Sequence, residues 1–503
     1  MRKAASLLAL LMLISAMSGN AFAATSWTNV DGNSAWNCAG NWDSGVPNIA
    51  GKTNIWKTTV DGPIITTGVV AETLQLDLGH TLDIDGGFLM ASDWIIVGYS
   101  DTHVGTMNLS GTGHVNQTGN DMTLGFNGTG NLNMTGGELN LANNLYLGNN
   151  TSTSTGNLTM DGGKITCDII YVGSNGIGNV TVNSGDIFIS GGSKDLYVGR
   201  NSGSVGHVTI NGGLVQVDDD IRLGDSGTGH LTITNTGKLT CDVFYAGYNA
   251  SADASITMSG GEILARECSI GRYGTVDMVM TDGYVQVSNV MYVGQSGDGS
   301  LAMTGGEIKI GAYTIDPNTG NVIGGGPLVI GRNDGSTGEV HLGGGKVTAH
   351  HIEMQWDGAT TANPSLDMTG GTLILTDTAT FYSYILASYI TALGGDGGFR
   401  YDTTTIPGQT IITVGLEGDA NDDGVVDAAD YIILKRNFGT SGAGVGQGNF
   451  TTGDTDVDWT DLSILMDNMS PAGGLVGSTT TPEPCSAMLL VFGAAALLRR
   501  RRS

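Results

Sequence analysis

Apolar and polar residues alternate through most of this chain, in short bursts broken by glycine. In "GNLTMDGGKITCDIIYVG", residues 156–173, Leu158 and Met160 flank a threonine, and Ile165 and Cys167 do the same after a glycine pair. A period of two is the pattern of a half-buried strand. The glycine pair supplies the positive φ angles that a sharp corner needs. An apolar-Tyr-apolar-Gly stretch closes the unit, and the whole pattern returns as "GHLTITNTGKLTCDVFYAG" at 229–247.

The closing glycine, or a near variant of its motif, falls at Gly98, Gly125, Gly148, Gly173, Gly199, Gly224, Gly247, Gly271 and Gly294. A fainter copy ends at Gly331, after an insertion around "GAYTIDPNTGNVIGGG". Units this short cannot hide their own apolar face, but stacked units can. The spacing therefore predicts an all-β fold, a parallel β-helix (β-solenoid). At the usual strand separation, residues 81–375 would give about 11 coils and a rod on the order of 50 Å. Propeller blades need about 40–45 residues each, so the period excludes them. In style these units resemble the β-helical repeats of autotransporter-like bacterial surface proteins.

Aligned on the closing glycine, the position five residues earlier reads Asp93, Asn120, Asn143, Asp168, Lys194, Asp219, Asp242, Arg266, Asn289. Asn and Asp tolerate tight corners and can bond along a stack, which predicts a turn ladder. Asp219 and Asp242 would be adjacent like charges, to be offset by Lys194, Arg266 or a bound cation. Lys194, Asp219, Asp242 and Arg266 are thus the candidates for a cation, sugar or catalytic site on that face. His207 and His230 share another column and predict a surface ladder, while Arg200, Arg272 and Arg332 each follow a coil-ending glycine.

An open coil end is a bare β-edge, so caps are expected. Residues 24–80 read as a β-rich N-terminal cap with Trp27, Trp36, Trp42 and Trp56 filling its core; stacking on sugar rings is the other use of such residues. Residues 376–415 read as a C-terminal cap. There Phe381, Tyr384, Ile385, Ser388 and Tyr389 fall at helical spacing, closed by Gly394 and Gly395.

Composition adds the compartment. Glycine, at 82 of 503 residues, is more than twice its usual share of about 7%, without a collagen period. The net charge is −27, and removing both termini would leave about −33, which speaks against nucleic acid and anionic lipid surfaces and for divalent cations. Cys38, Cys167, Cys241, Cys268 and Cys485 are too few and scattered for a disulfide framework; the middle three read as small buried apolar residues.

Residues 1–23 carry Arg2 and Lys3, an apolar run and Ala21-Phe22-Ala23, which predicts a secretory signal peptide. At the other end, after a linker at 472–481, "TPEPCSAMLLVFGAAALLRRRRS" sets Pro482, Glu483 and Pro484 before an apolar run and Arg499, Arg500, Arg501 and Arg502. Over 482–503 this resembles the PEP-CTERM sorting signal of Gram-negative bacteria. The resemblance implies transient inner-membrane contact through a marginal transmembrane helix, cleavage by an exosortase-type peptidase, and a surface or extracellular destination.

The sharpest chemical motif is "GDANDDGVVDAADYIILKRNFG". Asp419, Asn421, Asp423, Asp427 and Asp430 occupy positions 1, 3, 5, 9 and 12 of a calcium loop, Gly424 makes the bend and Val425 offers its carbonyl. A helix is expected from Tyr431 to Asn437. Residues 416–471 look like a type I dockerin, a small α-helical calcium-loop domain. The resemblance implies Ca2+ and a cohesin partner. Its second loop, "NFTTGDTDVDWTDLSILMDNM", keeps Asp454, Asp456, Asp458 and Asp461 and restarts a helix at Leu462, Ile464 and Leu465. It lacks the glycine bend and offers Thr451 and Thr452 early in the loop. At the two positions that help choose a cohesin in that family, Ala428 and Ala429 face Trp459 and Thr460.

Two functions fit. One is an exported surface or matrix protein, structural or adhesive, that binds polysaccharide or protein partners. The other is a dockerin-bearing polysaccharide lyase or glycoside hydrolase, which would need an acid and a base gathered on one face.

Overall fold

The computed structural model describes residues 24–469 apart from 58, 192–193, 312, 316–321, 356–358, 396 and 452–455. The expected signal peptide at 1–23, linker at 472–481 and sorting segment at 482–503 lie outside the described residues. Among the described residues no helix is long and apolar enough to cross a membrane. The chain divides into two compact units, Met1–Leu416 and Glu417–Ser503.

The first unit is an all-β parallel β-solenoid of about 15 turns. Each coil contributes three strands to three stacked columns. Thr81–Asp85, Val104–Ser110 and Thr129–Met134 begin the regular part of the first column, Phe88–Ala91, His114–Gln117 and Glu138–Leu141 of the second, and Ile95–Val97, Met122–Leu124 and Leu145–Leu147 of the third. Pairing is in register from coil to coil. Leu132 lies on Leu158, which lies on Val180 and then Val208 in the first column. Leu139, Ile165 and Ile187 repeat this in the second. Alternate residues therefore point inward at every level, and those residues form one continuous buried core.

The solenoid has about 15 coils where the glycine landmarks predict about 11. The reason is at its start. Lys52–Ile55 pairs with Gln75–Leu78, which pairs with Ile95–Val97; Ile64–Thr66 lies on Thr81–Asp85, and Val70–Thr73 on Phe88–Ala91. The first of these strands ends in Trp56 in place of the glycine, and the count from residue 81 leaves out both it and the coil that ends at Gly79. At about 4.8 Å per coil the stack is roughly 70 Å tall.

Gly199 shows why the closing glycine recurs. Its φ is +67°, and a Cβ there would stand 2.2 Å from the Thr228 carbonyl oxygen of the next coil. The neighbouring backbone occupies the place of a side chain. At the glycine pairs, by contrast, the middle coils keep their strands intact through the corner, as in Thr155–Cys167 and Asp253–Ile270. The register slips there instead, for instance after Met160.

Both ends are closed. Trp27, Trp36 and Trp42 are buried and meet edge to face, with Trp42 4.9 Å from each of the other two. Trp56 departs from the expectation: it is 41% exposed and stacks on Tyr99 outside the core. At the far end the helix is Phe381–Leu386, shorter than its sequence pattern suggests. Ser388 turns at φ +60°, and Ile390–Ala392 returns to the first column as a strand on Leu366–Met368. Thr410–Leu416 then lies antiparallel to both Leu373–Leu375 and Gly397–Asp402, ending the parallel stack with reversed strands. Covering the last coil in this way removes an open edge.

The second unit holds two ten-residue helices, Ala428–Asn437 and Trp459–Asn468. The first begins three residues earlier than expected, because Asp427 caps it: the Asp427 carboxylate accepts from the Ala429 N–H, and Asp430 accepts from the Asp427 N–H. Asp458 and Asp461 build the same capping box on the second helix. Val426, Leu434, Val457 and Leu465 fill a small core between them.

Candidate functional site

The corner before the third column carries the expected ladder. The Asn120 amide donates to the Asp93 carboxylate, and the Asn143 amide to the Asn120 carbonyl at 3.2 Å. Arg266 grips Asp242 through Nε at 2.7 Å and Nη2 at 3.2 Å and also reaches Glu267. Lys194, however, stands 4.0 Å from Asp218 and not on Asp219. Of the four candidates, Asp242 and Arg266 thus pair with each other, while Lys194 and Asp219 turn to other partners. Asp219 instead meets Asp195 and Asp220, with carboxylate oxygens within 4.8 Å of one another. Burial, then the charges of Asp219 and Asp195, push the Asp220 carboxyl up to about 6. Asp195 is held by the Tyr197 hydroxyl at 2.9 Å and Arg222 at 3.5 Å. His207 and His230 stack at 4.6 Å, and burial with the neighbouring ring lowers the His207 pKa. Cys167 and Cys268 are buried and Cys241 partly so; Cys38, Cys167, Cys241 and Cys268 are all free thiols.

A larger feature lies on the outer face of the third column, and the tyrosines of the repeat build it. The middle residue of each strand points outward in a row that includes Tyr146, Tyr171, Tyr197, Arg222 and Tyr245. The residue after each closing glycine forms a second row beside it, including Tyr99, Phe126, Arg200, Tyr248, Arg272 and Arg332. Tyr146 stacks on Tyr171 at 4.5 Å and Tyr171 on Tyr197 at 4.9 Å. The guanidinium of Arg200 covers Tyr171 at 4.2 Å, Arg222 lies between Tyr197 and Tyr248, and Arg272 between Tyr245 and Tyr248. Tyr99 stacks on Phe126 and Trp56 on Tyr99, which carries the strip toward the first coils. Burial raises the pKa of Tyr146, Tyr171 and Tyr245, so these phenols keep their protons and remain donors.

The second unit gathers carboxylates around its first loop. Asp419 accepts from the N–H groups of Asp422 at 2.7 Å and Gly424 at 2.9 Å. Asp423 accepts from Val425 at 3.0 Å and from the Asn421 amide at 2.9 Å. Asp430 is fully buried and accepts from Ala420, Asn421 and Asp427. Gly424 takes φ +83° at the bend. Together with Asp427 and the Val425 carbonyl, these are hard oxygen donors of the kind a calcium ion takes, and the residues present fit that ion.

The described flanks of the second loop repeat those of the first, in a different alignment from the one its sequence suggests. Phe450 and Thr451 donate to Asp461 as Ala420 and Asn421 donate to Asp430. Asn449 therefore stands where Asp419 does, preceded by Gly448 as Asp419 is by Gly418, both glycines at φ +91°. Gly418 packs against Leu465 of the second half and Gly448 against Leu434 of the first. Among the described residues the two halves thus pack on each other reciprocally. Asp454 and Thr452 lie outside the described residues.

Stacked coils with outward ladders place the first unit in the class of parallel β-solenoids. Comparison with protein-family models, with curated proteins and with solved structures finds no match to this chain.

Proposed function

We propose that this is an exported cell-surface or extracellular-matrix protein whose solenoid binds polysaccharide, and whose second unit takes Ca2+ in a dockerin-like fold. The observation that carries the reading is the strip of aromatic rings and guanidinium groups on the third column. Tyr146, Tyr197, Arg200, Arg222, Tyr245, Tyr248 and Arg272 stand half-buried on one outer face, and ordered rings with an apolar body and a polar tip suit a binding surface. Export through the signal peptide, cleavage by an exosortase-type peptidase and docking to a cohesin complete the reading, on the resemblances of the two end segments and of the calcium-loop unit. Asp419, Asn421, Asp423, Asp427, Asp430 and the Val425 carbonyl would hold the ion, which supplies positive charge among otherwise repelling carboxylates. The lyase or hydrolase alternative is less well supported, since Asp242 and Arg266 are taken up by each other and Lys194 and Asp219 turn to other partners.

Co-sedimentation of the exported chain with insoluble polysaccharides tests this reading. Retention of the wild-type chain, lost on replacing Tyr197 and Tyr245 with alanine, is the expected result. Release of reducing ends or unsaturated products during the same incubation would favour an enzyme.

A further inference from the structure

We propose that the strip on the third column is a lengthwise track for a neutral, extended polysaccharide, gripped by phenol hydroxyls and guanidinium edges. This rests on the polysaccharide-binding reading above and names its ligand class, its site and its direction.

Periodicity is the first argument. Tyr146, Tyr171 and Tyr197 follow one another at centroid distances of 4.5 and 4.9 Å along the stack of coils. An extended β-linked pyranose chain advances by a closely similar step per sugar. Successive sugars lying parallel to the stack would therefore meet successive coils in the same way. A chain lying across the coils would meet each column only once.

Ring orientation is the second. Within the strip the ring faces are already taken, by the next ring or by a guanidinium such as Arg200 on Tyr171 or Arg272 on Tyr245. What remains at the surface is the rim: the half-buried edges of Tyr146, Tyr197 and Tyr245 and the outer N–H groups of Arg200 and Arg272, which suit hydroxyls on a sugar. Ring faces open to solvent occur at its margins, where Trp56 is 41% and Tyr273 51% exposed. Those are places for a sugar to stack.

Charge chooses between ligand classes. The arginines of the strip are answered locally, Arg222 by Asp195 at 3.5 Å and both Arg222 and Arg200 by the nearby Asp225. Around them the chain carries a net charge of −27. An acidic polymer would have to enter that field against repulsion, and a hydroxyl-rich neutral polymer would not.

Affinity electrophoresis of the exported chain tests the proposal, using gels that contain hydroxyethylcellulose or glucomannan in one set and alginate in another. Retardation in the neutral gels, little changed by salt, is expected. Calorimetry with cello-oligosaccharides should show affinity rising with chain length. Arg200→Ala with Arg272→Ala should weaken binding by about tenfold or more, and Arg272→Lys, which keeps charge but loses the fork, by several-fold. Thr209→Ala with Thr232→Ala, on the first column, should leave retention unchanged. If the arginine variants melt early by circular dichroism, Trp56→Ala at the margin carries the same test. Salt-sensitive retention in alginate alone would overturn the neutral ligand while keeping a polysaccharide-binding protein; retention in no gel would sink both readings. Retention indifferent to Arg200, Arg272 and Trp56 would overturn the site.

Discussion

The two units of this protein solve the problem of charge in opposite ways. In the solenoid the inward positions are apolar almost throughout, and charged residues stand outside in cross-coil pairs such as Lys238 with Glu262 and Lys346 with Glu307. Asp77 and Asp195 are its buried acids among the described residues. The second unit has a core of seven buried apolar residues and sinks Asp419, Asp430 and Asp461 into the same small volume. Large stacked area can stabilise a fold without help, whereas a unit this small needs a second device. Backbone N–H groups aimed at Asp430 and Asp461 supply part of it, since a buried carboxylate is tolerable only when its lone pairs are occupied. A calcium ion at the first loop would supply the rest.

The largest expected effect breaks the solenoid side of that contrast. Phe244 is fully buried, between Ile221 and Cys268 of the adjoining coils. Phe244→Ala should cost about 3–5 kcal/mol, through lost burial and the cavity left behind. Because each coil touches only its neighbours, the loss should be local: hydrogen exchange should quicken at 221–270 and barely change at 129–147. Calcium should not restore it. Uniform loss of protection along the stack would mean that the coils do not act as near-independent storeys.

The next effect tests the other side. Asp430→Ala removes the acceptor for three N–H groups and should destabilise the second unit by about 2–3 kcal/mol. Titration calorimetry should also show calcium affinity lowered by at least about tenfold. Asp461→Ala should have a similar cost in stability and no effect on calcium stoichiometry. The second loop is longer by one residue and has Asn449 where the first has Asp419, so one ion per chain is expected. Two ions of comparable affinity would erase the distinction drawn between the halves.

Legibility in the sequence followed the same divide. A solenoid is written as a period, and the period was plain wherever the closing glycine was needed to admit the next coil, as at Gly199. It is fainter over 52–80, where Trp56 stands in the place of that glycine and Gly79 holds it without a tyrosine before it. The aromatic strip is half visible: the tyrosines stand in the repeat motif with Arg222 in one of their places, but Arg200, Arg272 and Arg332 follow the glycine and join them only once both rows are folded side by side. Trp56 was grouped with Trp27, Trp36 and Trp42 because sequence shows that tryptophans are near one another and not which side of a strand they take. In the second unit the acidic loop was clear, and the doubling was misaligned. Gly418-Asp419 and Gly448-Asn449 echo each other, but the extra residue in the second loop hides the match when the carboxylates are counted.

The smallest effect returns to the solenoid, at a corner where its outward ladder crowds like charges. Asp220 is half-buried beside Asp219 and Asp195, with Asp242 further along the corner and Arg222 opposing them. Its carboxyl rises from an ordinary value of 3.8 to about 6 in the folded chain. The folded state then holds a proton that the unfolded state has released, so stability contributed by this group is full below about pH 3.8 and is lost as pH rises through about 6. After allowance for screening of a half-exposed group, the loss should be about 1 kcal/mol. His207, whose pKa is lowered, works in the opposite sense, favouring the folded state as the pH rises. Comparing urea unfolding of wild type with Asp220→Asn between pH 4 and pH 7 separates the two, because the variant keeps the histidine and loses the acid. A difference between the two proteins that grows with pH over that window, in favour of the asparagine, is the expected result. A constant difference would mean that Asp220 is already ionised in the fold and that Arg222 outweighs its acidic neighbours.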